Sequence, residues 1–373
     1  MGTAHLQSID LLRALAILLV VLYHSQDFLF TKYMLQRDGL VGIPHDSSLK
    51  RILLTFSPSA YGWSGVDLFL LISGFLIHSN TIVKPGRPDW RSFFSKRFFR
   101  IYPPYLVALF FFGFFNGPYP LDQWVWHLSM LFNLNDGSFF TINPSFWSLA
   151  LEMQLYAVYP ILYWCRGRLG IDRTVMLIAG VSVLTTLWIH FAGPCGFSVR
   201  MSLPRLWILW ALGAWVGERY VQDRTLFKHH GKLLVVLLIL VPLVQFSVLR
   251  EYLFRYQIML IHAVLLEWVV VRGGAFRKDT GTAVMRVAKR TVVLIGLSSY
   301  SLYLLHQPLI HWVYPLLPFS HPLLGPMMKV ALVVPVLVVI SYLMYLYVEL
   351  PSIKLGRAVR ERGRKAGPPA ATP

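Results

Sequence analysis

Four ionisable side chains lie inside apolar stretches of the sequence, where a charged group is costly unless it faces a cavity or a partner. They are His24, Asp67, Glu152 and His306. At 1.5 Å per residue, all four fall at a similar depth, about 10 Å below the outer ends of their predicted helices. A buried imidazole beside a carboxylate is well suited to general base catalysis. We therefore expect His24 to remove a proton from a hydroxyl, oriented by Glu152 or Asp67.

Three arginines supply a second chemical function. Arg97 and Arg100 lie i, i+3 at the inner end of the third predicted span, and guanidinium pairs bind phosphates through bidentate hydrogen bonds. Anchoring of the helix end in the cytoplasm explains this pair equally well from spacing alone. Arg13 precedes His24 by eleven residues, so the two share a helix face and lie about 16 Å apart. Asp10, i, i+3 from Arg13, is expected to hold that arginine in a salt bridge.

Two further helices each turn a polar face in one direction, at i, i+4, i+8 spacing in one and i, i+4, i+7 in the other. Their members are Ser148, Glu152 and Tyr156, and Ser299, Tyr303 and His306. The stripes predict a polar cavity that reaches from the cytoplasm into the outer half of a bilayer, although a lone Ser or Tyr also forms hydrogen bonds between helices.

The sequence contains no clustered metal ligands, no Gly-rich phosphate loop and no serine-hydrolase elbow. We expect no metal and no permanently bound cofactor. A histidine base beside a phosphate-binding pocket describes acyl transfer from coenzyme A to an alcohol.

The elements that must position these residues are membrane-spanning helices. The chain is 56% apolar and only 14% charged, which excludes an ordinary soluble domain. Apolar runs of about 16 to 25 residues indicate ten spans. The predicted spans are 9–30, 60–80, 101–116, 146–165, 174–192, 204–217, 233–249, 254–271, 291–315 and 326–348. The predicted fold is an all-α integral membrane protein with about ten transmembrane helices around a polar cavity.

Charge sets the predicted orientation. Of the 35 Lys and Arg residues, 26 fall on the side of the predicted topology that holds both termini, which the positive-inside rule assigns to the cytoplasm. The net charge of +18 is thereby explained without a nucleic-acid partner. Segments 31–59 and 117–145 are the predicted walls of an outward vestibule. Residues 1–350 form the predicted transmembrane domain, and residues 351–373 a basic, disordered cytoplasmic tail.

Six segments resemble the serial motifs of the membrane-bound acyltransferase-3 family, in the family's order and over nearly the whole chain. They are LRALAILLVVLYH, GVDLFLLISGF, RFFRIYPPY, FWSLALEMQLY, SSYSLYLLHQP and VELP. The resemblance implies about ten transmembrane helices. It also implies transfer of acyl groups, most often acetyl from acetyl-CoA, to hydroxyls of cell-envelope saccharides, signalling oligosaccharides or macrolides.

The resemblance also implies roles for individual residues. His24 matches the family's essential histidine and Arg13 its partner, while Arg97 and Arg100 match the arginines linked to the CoA donor. Trp147, Ser148 and Glu152 match the WSLxxE element, and Met153 and Gln154 stand where many members have a second glutamate. Some members carry an appended extracytoplasmic hydrolase-like domain, and we expect this chain to belong to the stand-alone branch.

The predicted function is O-acyl transfer in a bacterial inner membrane. The expected cosubstrate is acetyl-CoA or another acyl-CoA on the cytoplasmic side, and the expected acceptor is a saccharide or glycolipid. A proton-coupled saccharide or glycolipid transporter or flippase is the alternative, because intramembrane His, Asp and Glu also build proton relays. The acceptor, the oligomeric state and the choice between direct attack and an acyl-histidine stay open.

Overall fold

The computed structural model describes residues 3–29, 61–245, 247, 250–272, 282–319 and 324–366. All secondary structure in these residues is helical, as predicted. The longer helices are α1 (Thr3–Leu29), α2 (Ser64–Ile82), α3 (Trp90–Asn116), α4 (Leu121–Leu128), α5 (Trp147–Leu169), α6 (Ile171–Phe191), α7 (Leu203–Val221), α8 (His230–Gln245), α9 (Arg250–Val271), α10 (Ala283–Leu297), α11 (Ser299–Val313), α12 (Leu324–Met344) and α13 (Leu350–Ala366). The predicted outward segment 31–59 lies outside the described residues.

Six of the described helical segments are long and apolar enough to cross a membrane. They are α1, α2, α3, α6, α9 and the continuous α12–α13 rod, and the bent pair α10–α11 adds a seventh if it counts as one span. Helices α5, α7 and α8 lie where the sequence predicts spans, but they are not both long and apolar enough to be counted as membrane-crossing helices. Helix α5 carries the polar stripe of Ser148, Glu152 and Tyr156, α7 has charged residues near both ends, and α8 has 16 residues. The chain is a membrane protein, and the count of ten spans and the cytoplasmic termini stay predictions.

The predicted span 291–315 is wrong as a single straight helix. The structure breaks it at Ser298 into α10 and α11, which meet at 80°. Ser298 accepts the first backbone hydrogen bond of α11, from Leu302 N at 2.9 Å, so the second helix begins anew at this residue. The break turns the start of α11 towards the interior of the helix bundle.

Helices α2 and α7 form the closest crossing in the centre of the bundle. A Cβ atom built on Gly74 would lie 2.0 Å from the carbonyl oxygen of Trp210, and one built on Gly213 would lie 2.0 Å from that of Leu71. Small residues let transmembrane backbones approach this closely. The candidate span of α2 is 61% buried within the protein, whereas that of the α12–α13 rod is 22% buried. Helix α2 is therefore central, and α12 leaves apolar side chains exposed for contact with lipid, among them Leu332, Val336 and Val339.

The segment after residue 350 corrects a second expectation. Residues Leu350–Ala366 form the basic helix α13 rather than a disordered tail, and residues 367–373 lie outside the described ranges. The helix packs closely on α3, where a Cβ on Gly356 would lie 2.5 Å from Cβ of Phe99. A five-residue π-helical turn, Tyr345–Glu349, joins α12 to α13.

Candidate active site

A cavity of about 280 Å³ lies between α1, α2, α3, α5 and α11. Nine of the thirteen residues that the sequence predicts for the site line it. They are Asp10, Arg13, Arg97, Arg100, Ser148, Glu152, Tyr156, Ser299 and Tyr303. His24, Asp67, Trp147 and His306 do not line it. The helical spacing therefore identified the polar residues of the cavity wall. The predicted base, His24, does not line this cavity.

The arginines give the cavity its positive charge. Among the described residues, its wall carries three guanidinium groups, those of Arg13, Arg97 and Arg100, and two carboxylates, those of Asp10 and Glu152. The expected i, i+3 ion pair is present, with 3.5 Å between Arg13 Nη1 and Asp10 Oδ1. None of the ion pairs between described residues includes Arg97 or Arg100. The paired arginines are therefore free to meet an anionic ligand.

Arg97 is held in place by aromatic rings rather than by a carboxylate. Its guanidinium carbon lies 5.0 Å from the ring centroid of Phe93 and 5.8 Å from that of Tyr156. Its Nε is buried and has no hydrogen-bond partner among the described residues. Stacking on aromatic faces orients a guanidinium without consuming its N–H donors. Arg97 thus keeps donors available at the cavity wall.

Local sequence fixes where these arginines lie on α3. The helix begins at an N-cap, Asp89, whose carboxylate accepts from Ser92 N at 3.0 Å, so both arginines fall inside the helix rather than in a loop before it. Pro103 cannot donate to the carbonyl of Phe99. The hydroxyl of Ser352 on α13 donates to that carbonyl instead. The proline thereby ties α13 to the turn of α3 that carries the arginines.

A second proline, Pro308, allows a contact between α11 and the turn that leads into α5. Pro308 leaves the carbonyl of Leu304 without its intrahelical donor, and Asn143 Nδ2 donates to it at 2.9 Å. Asn143 also accepts from Ser145 N at 3.0 Å, in the turn that leads into α5. The Tyr303 hydroxyl then donates to the Ser145 carbonyl at 2.6 Å. These contacts fasten the start of α5 to α11.

The carboxylate of Glu152 is bound within its own helix. It accepts a hydrogen bond from the Tyr156 hydroxyl, one turn further along α5. That hydroxyl also lies 3.3 Å from the hydroxyl of Ser73 on α2, which accepts from Trp210 Nε1 at 3.3 Å. A polar network therefore joins α5, α2 and α7 beside the arginines.

His24 contacts a second histidine rather than a carboxylate. The ring centroids of His24 and His306 lie 5.1 Å apart, with the rings tilted by 53°. His306 is fully buried and lies 5.4 Å, centroid to centroid, from Tyr303 on the cavity wall. Trp147 stacks on Phe139 at 5.9 Å instead of facing the cavity. Tyr303 therefore contacts the histidine pair and also lines the cavity that holds the arginines.

Asp67 belongs to a different contact from the one predicted. Its side chain is fully buried and accepts from Arg255 Nη2 on α9 at 2.5 Å. The guanidinium of Arg255 also lies 5.5 Å from the ring centroid of Trp63. Depth placed Asp67 level with His24, but the face of α2 that carries it turns towards α9. The expected cluster of four ionisable groups is therefore not formed.

Sequence reasoning missed four polar residues of the site. Ser73, Asn80 and Tyr300 line the cavity, and Ser73 and Asn80 are seven residues apart, a spacing that places them on one face of α2. Glu349 lies in the π-helical turn, 2% exposed, and accepts from Ser301 Oγ at 2.8 Å. It also lies within electrostatic range of Arg13 and Arg100. Irregular π turns often occur at functional sites, and no sequence periodicity reveals one.

Comparison with known proteins extends the sequence resemblance. A family model described as an acyltransferase domain, acyltransferase-3, matches residues 6–346 of the chain. The match covers α1 to α12 and includes all thirteen predicted site residues. No solved structure matches the chain.

Two curated relatives carry names that specify an acetyl group. "O-acetyltransferase OatA" of Staphylococcus aureus is 26% identical over 296 residues, which are 68% of this chain and 46% of that protein. "Putative peptidoglycan O-acetyltransferase YrhL" of Bacillus subtilis is 24% identical over 387 residues, which are 93% of this chain and 55% of that protein. The chain thus spans about half the length of these relatives.

Proposed function

The chain belongs to the acyltransferase-3 family, and from that premise we propose that it is a membrane O-acyltransferase. It moves an acetyl group from acetyl-CoA to a hydroxyl of a cell-envelope or secreted saccharide, in a bacterial inner (plasma) membrane. The observation that carries this proposal is the cavity, whose wall includes Arg97 and Arg100, neither of which has an ion-pair partner among the described residues. The names of the bacterial relatives support acetyl as the transferred group.

The arginines bind the donor in this proposal. The phosphates of CoA dock on Arg97 and Arg100, with Arg13 deeper on the same wall, because guanidinium groups recognise phosphate oxygens in a bidentate manner. The cavity has a volume of about 280 Å³. A space of this size suits the narrow pantetheine arm rather than the whole nucleotide, which stays at the cytoplasmic mouth.

His24 acts as the base. It takes the proton of the acceptor hydroxyl, and the hydroxyl oxygen then forms a bond to the thioester carbonyl carbon. The carbon–sulfur bond breaks, and the leaving thiolate takes the proton from His24, so the histidine returns to its starting state. In a route through an acyl-histidine, a nitrogen of His24 attacks the carbonyl carbon and the CoA thiolate leaves. The acceptor hydroxyl then attacks the acyl-histidine, the carbon–nitrogen bond to His24 breaks, and the hydroxyl proton passes to the thiolate. Tyr303 and Phe69, whose rings lie 6.2 Å apart, both line the donor cavity, and Tyr303 also contacts His306, the neighbour of His24.

Label transfer from radioactive acetyl-CoA tests the base. Inverted membrane vesicles of producing cells expose the donor side and contain their own envelope saccharides. We expect His24→Ala to abolish transfer, whereas His229→Ala, on the loop before α8, leaves it unchanged. Full transfer by the His24→Ala variant would refute the assignment.

The donor clamp has a separate test. An Arg97→Ala/Arg100→Ala variant is expected to raise the KM for acetyl-CoA by about 100-fold, since two charge-assisted contacts of about 1.5 kcal/mol each are lost. Arg91→Ala is the matched control, because Arg91 lies on the same helix but is exposed and off the cavity wall. An unchanged KM in the double variant would reject the clamp.

One feature favours the transport alternative. The break at Ser298 divides a span into two half-helices, and secondary transporters place such breaks at their substrate sites. Thioester turnover distinguishes the two functions, because a transporter moves its substrate without consuming acetyl-CoA. Release of free CoA by the purified protein, dependent on His24, supports transfer. Saccharide movement without CoA release would support transport instead.

A further inference from the structure

We propose that His306 is the positioning residue of His24: its Nε2 accepts a hydrogen bond from the His24 ring, in the place where the sequence predicts a carboxylate. The inference rests on the proposed role of His24 as the base. It assigns to a neutral imidazole the orienting task that a carboxylate performs in many histidine-dependent enzymes.

The backbone fixes the tautomer of His306. Its Nδ1 lies 2.8 Å from the carbonyl oxygen of Tyr303, one turn earlier on α11. A carbonyl only accepts hydrogen bonds, so Nδ1 carries the proton and donates. In the neutral ring, Nε2 then has a free lone pair. Because Nδ1 faces its own helix, the Nε2 edge faces away from α11.

The other neighbour of Nε2 does not use this lone pair. Ser145 Oγ lies 3.5 Å from Nε2, at the limit of a hydrogen bond. The Ser145 hydroxyl instead donates to Gln307 Oε1 at 2.5 Å. Because a hydroxyl has one proton, it has none left for His306. A buried acceptor thus remains open on the side of His306 that faces away from α11, and His24 is the ring that contacts His306 from α1.

The two carboxylates predicted to orient His24 contact other residues, although Asp67 keeps one oxygen, Oδ2, without a hydrogen bond among the described residues. Glu152 accepts from Tyr156 on the cavity wall, and Asp67 accepts from Arg255. His311 also lies within electrostatic range of His24, but its side chain is exposed. Among the described residues, His306 is the buried acceptor in contact with the His24 ring.

This arrangement has a direct chemical consequence. When one nitrogen of His24 takes the proton of the acceptor hydroxyl, the other nitrogen of His24 carries an N–H. Nε2 of His306 accepts that N–H and stabilises the imidazolium, and no proton has to move to His306 itself. The rings now contact one another without a hydrogen bond, and a rotation of the His24 ring directs its N–H to Nε2.

Two amide variants separate positioning from packing. Asn places its amide at the position of Nδ1, so His306→Asn keeps a donor to the Tyr303 carbonyl and removes the acceptor at Nε2. Gln places its amide at the position of Nε2, so His306→Gln keeps an acceptor there. A purely structural role predicts that Asn is tolerated better than Gln, and positioning predicts the reverse order.

Radioactive acetyl-CoA and inverted vesicles again provide the assay, with thermal unfolding of each purified variant as the folding control. We expect His306→Asn to lower kcat about 100-fold with an unchanged KM for acetyl-CoA, and His306→Gln to retain a kcat within about tenfold of the unsubstituted protein. A kcat for His306→Asn within about threefold of that of the unsubstituted protein, or a greater loss in Gln than in Asn, overturns the inference. If the unsubstituted protein shows no transfer that depends on His24, the proposed function fails instead, so the two failures are distinguishable.

Discussion

A single methyl group at Gly296 is expected to disturb both the fold and the donor site. Gly296 lies in the last turn of α10, directly against α1. A Cβ atom at this position would lie 2.0 Å from the carbonyl oxygen of Asp10 and 2.7 Å from its carbonyl carbon. Both are backbone atoms, so no side-chain rotation relieves the contact. The residue that would be displaced is the ion-pair partner of Arg13.

The size of the effect follows from this distance. Real Cβ atoms do not approach other heavy atoms within 3.0 Å, so α10 and α1 must separate by about 1 Å in a densely packed interior. Overpacking of this kind costs about 1–3 kcal/mol. Gly180→Ala is the matched control, because the α6 position has no neighbour within 4 Å and alanine there gains up to about 1 kcal/mol from helix propensity. Because Gly296 also lies in a helix and gains the same propensity, the two variants should differ by the overpacking cost of about 1–3 kcal/mol.

Thermal unfolding in detergent and acetyl transfer in vesicles measure the two consequences. We expect Gly296→Ala to unfold several degrees below Gly180→Ala, and its transfer rate to fall by up to about 100-fold, because displacement of a positioning group by 1 Å can cost that much. Equal unfolding temperatures and equal rates for the two variants would refute the packing argument. A loss of stability with normal transfer would refute only the link from Asp10 to the donor site.

Two further predictions concern buried groups outside the cavity. Arg255→Met leaves the Asp67 carboxylate buried without its partner and should lower the free energy of unfolding by about 3–5 kcal/mol. The Asp67→Leu/Arg255→Met double variant should recover most of this loss. Additive losses of the two substitutions in thermal unfolding would contradict the prediction. Burial lowers the pKa of His127 from its usual 6.5 to about 4, so the folded state favours the neutral ring. Stability should be complete above pH 6.5 and fall by up to about 3 kcal/mol as the pH drops towards 4. Unfolding temperatures at pH 7.5 and pH 5 check this, and His127→Gln should show a weaker dependence.

Helical periodicity predicted the cavity wall because it depends only on the geometry within one helix. Ser148, Glu152 and Tyr156 share a face wherever α5 lies, and so do Ser299 and Tyr303 on α11. In a membrane protein, such a polar face turns away from lipid and towards a neighbouring helix or a cavity. The sequence therefore sufficed to identify nine of the residues that line the cavity.

The depth of a residue in the membrane predicted its neighbours less well than helical periodicity predicted the cavity wall. The distance of a residue from a helix end sets its level in the membrane, but not the neighbour towards which its helix turns it. Asp67 and His24 illustrate this, since Asp67 faces Arg255 on α9 and His24 faces His306 on α11. The identity of the neighbour depends on how distant helices pack, and a single sequence does not contain that information.

Irregular backbone was the other feature that the sequence did not reveal. Glu349 lies in a π-helical turn, and the break at Ser298 lies within an apolar run that favours one continuous span. Two prolines, in contrast, mark contacts between different structural elements. Pro103 and Pro308 each leave a carbonyl without its helical donor, and each vacated carbonyl accepts from a side chain of another element.

The break at Ser298 also has an electrostatic consequence for the cavity. Ser299 and Tyr300 are the first residues of α11, and both line the cavity. The first turn of a helix carries a partial positive charge of about half an elementary unit, because its N–H groups have no intrahelical acceptors. This charge belongs to the backbone, so it neither titrates with pH nor disappears when an arginine is replaced. An anionic donor therefore meets a permanent positive pole beside the guanidinium groups, and the kink in the helix is what creates it.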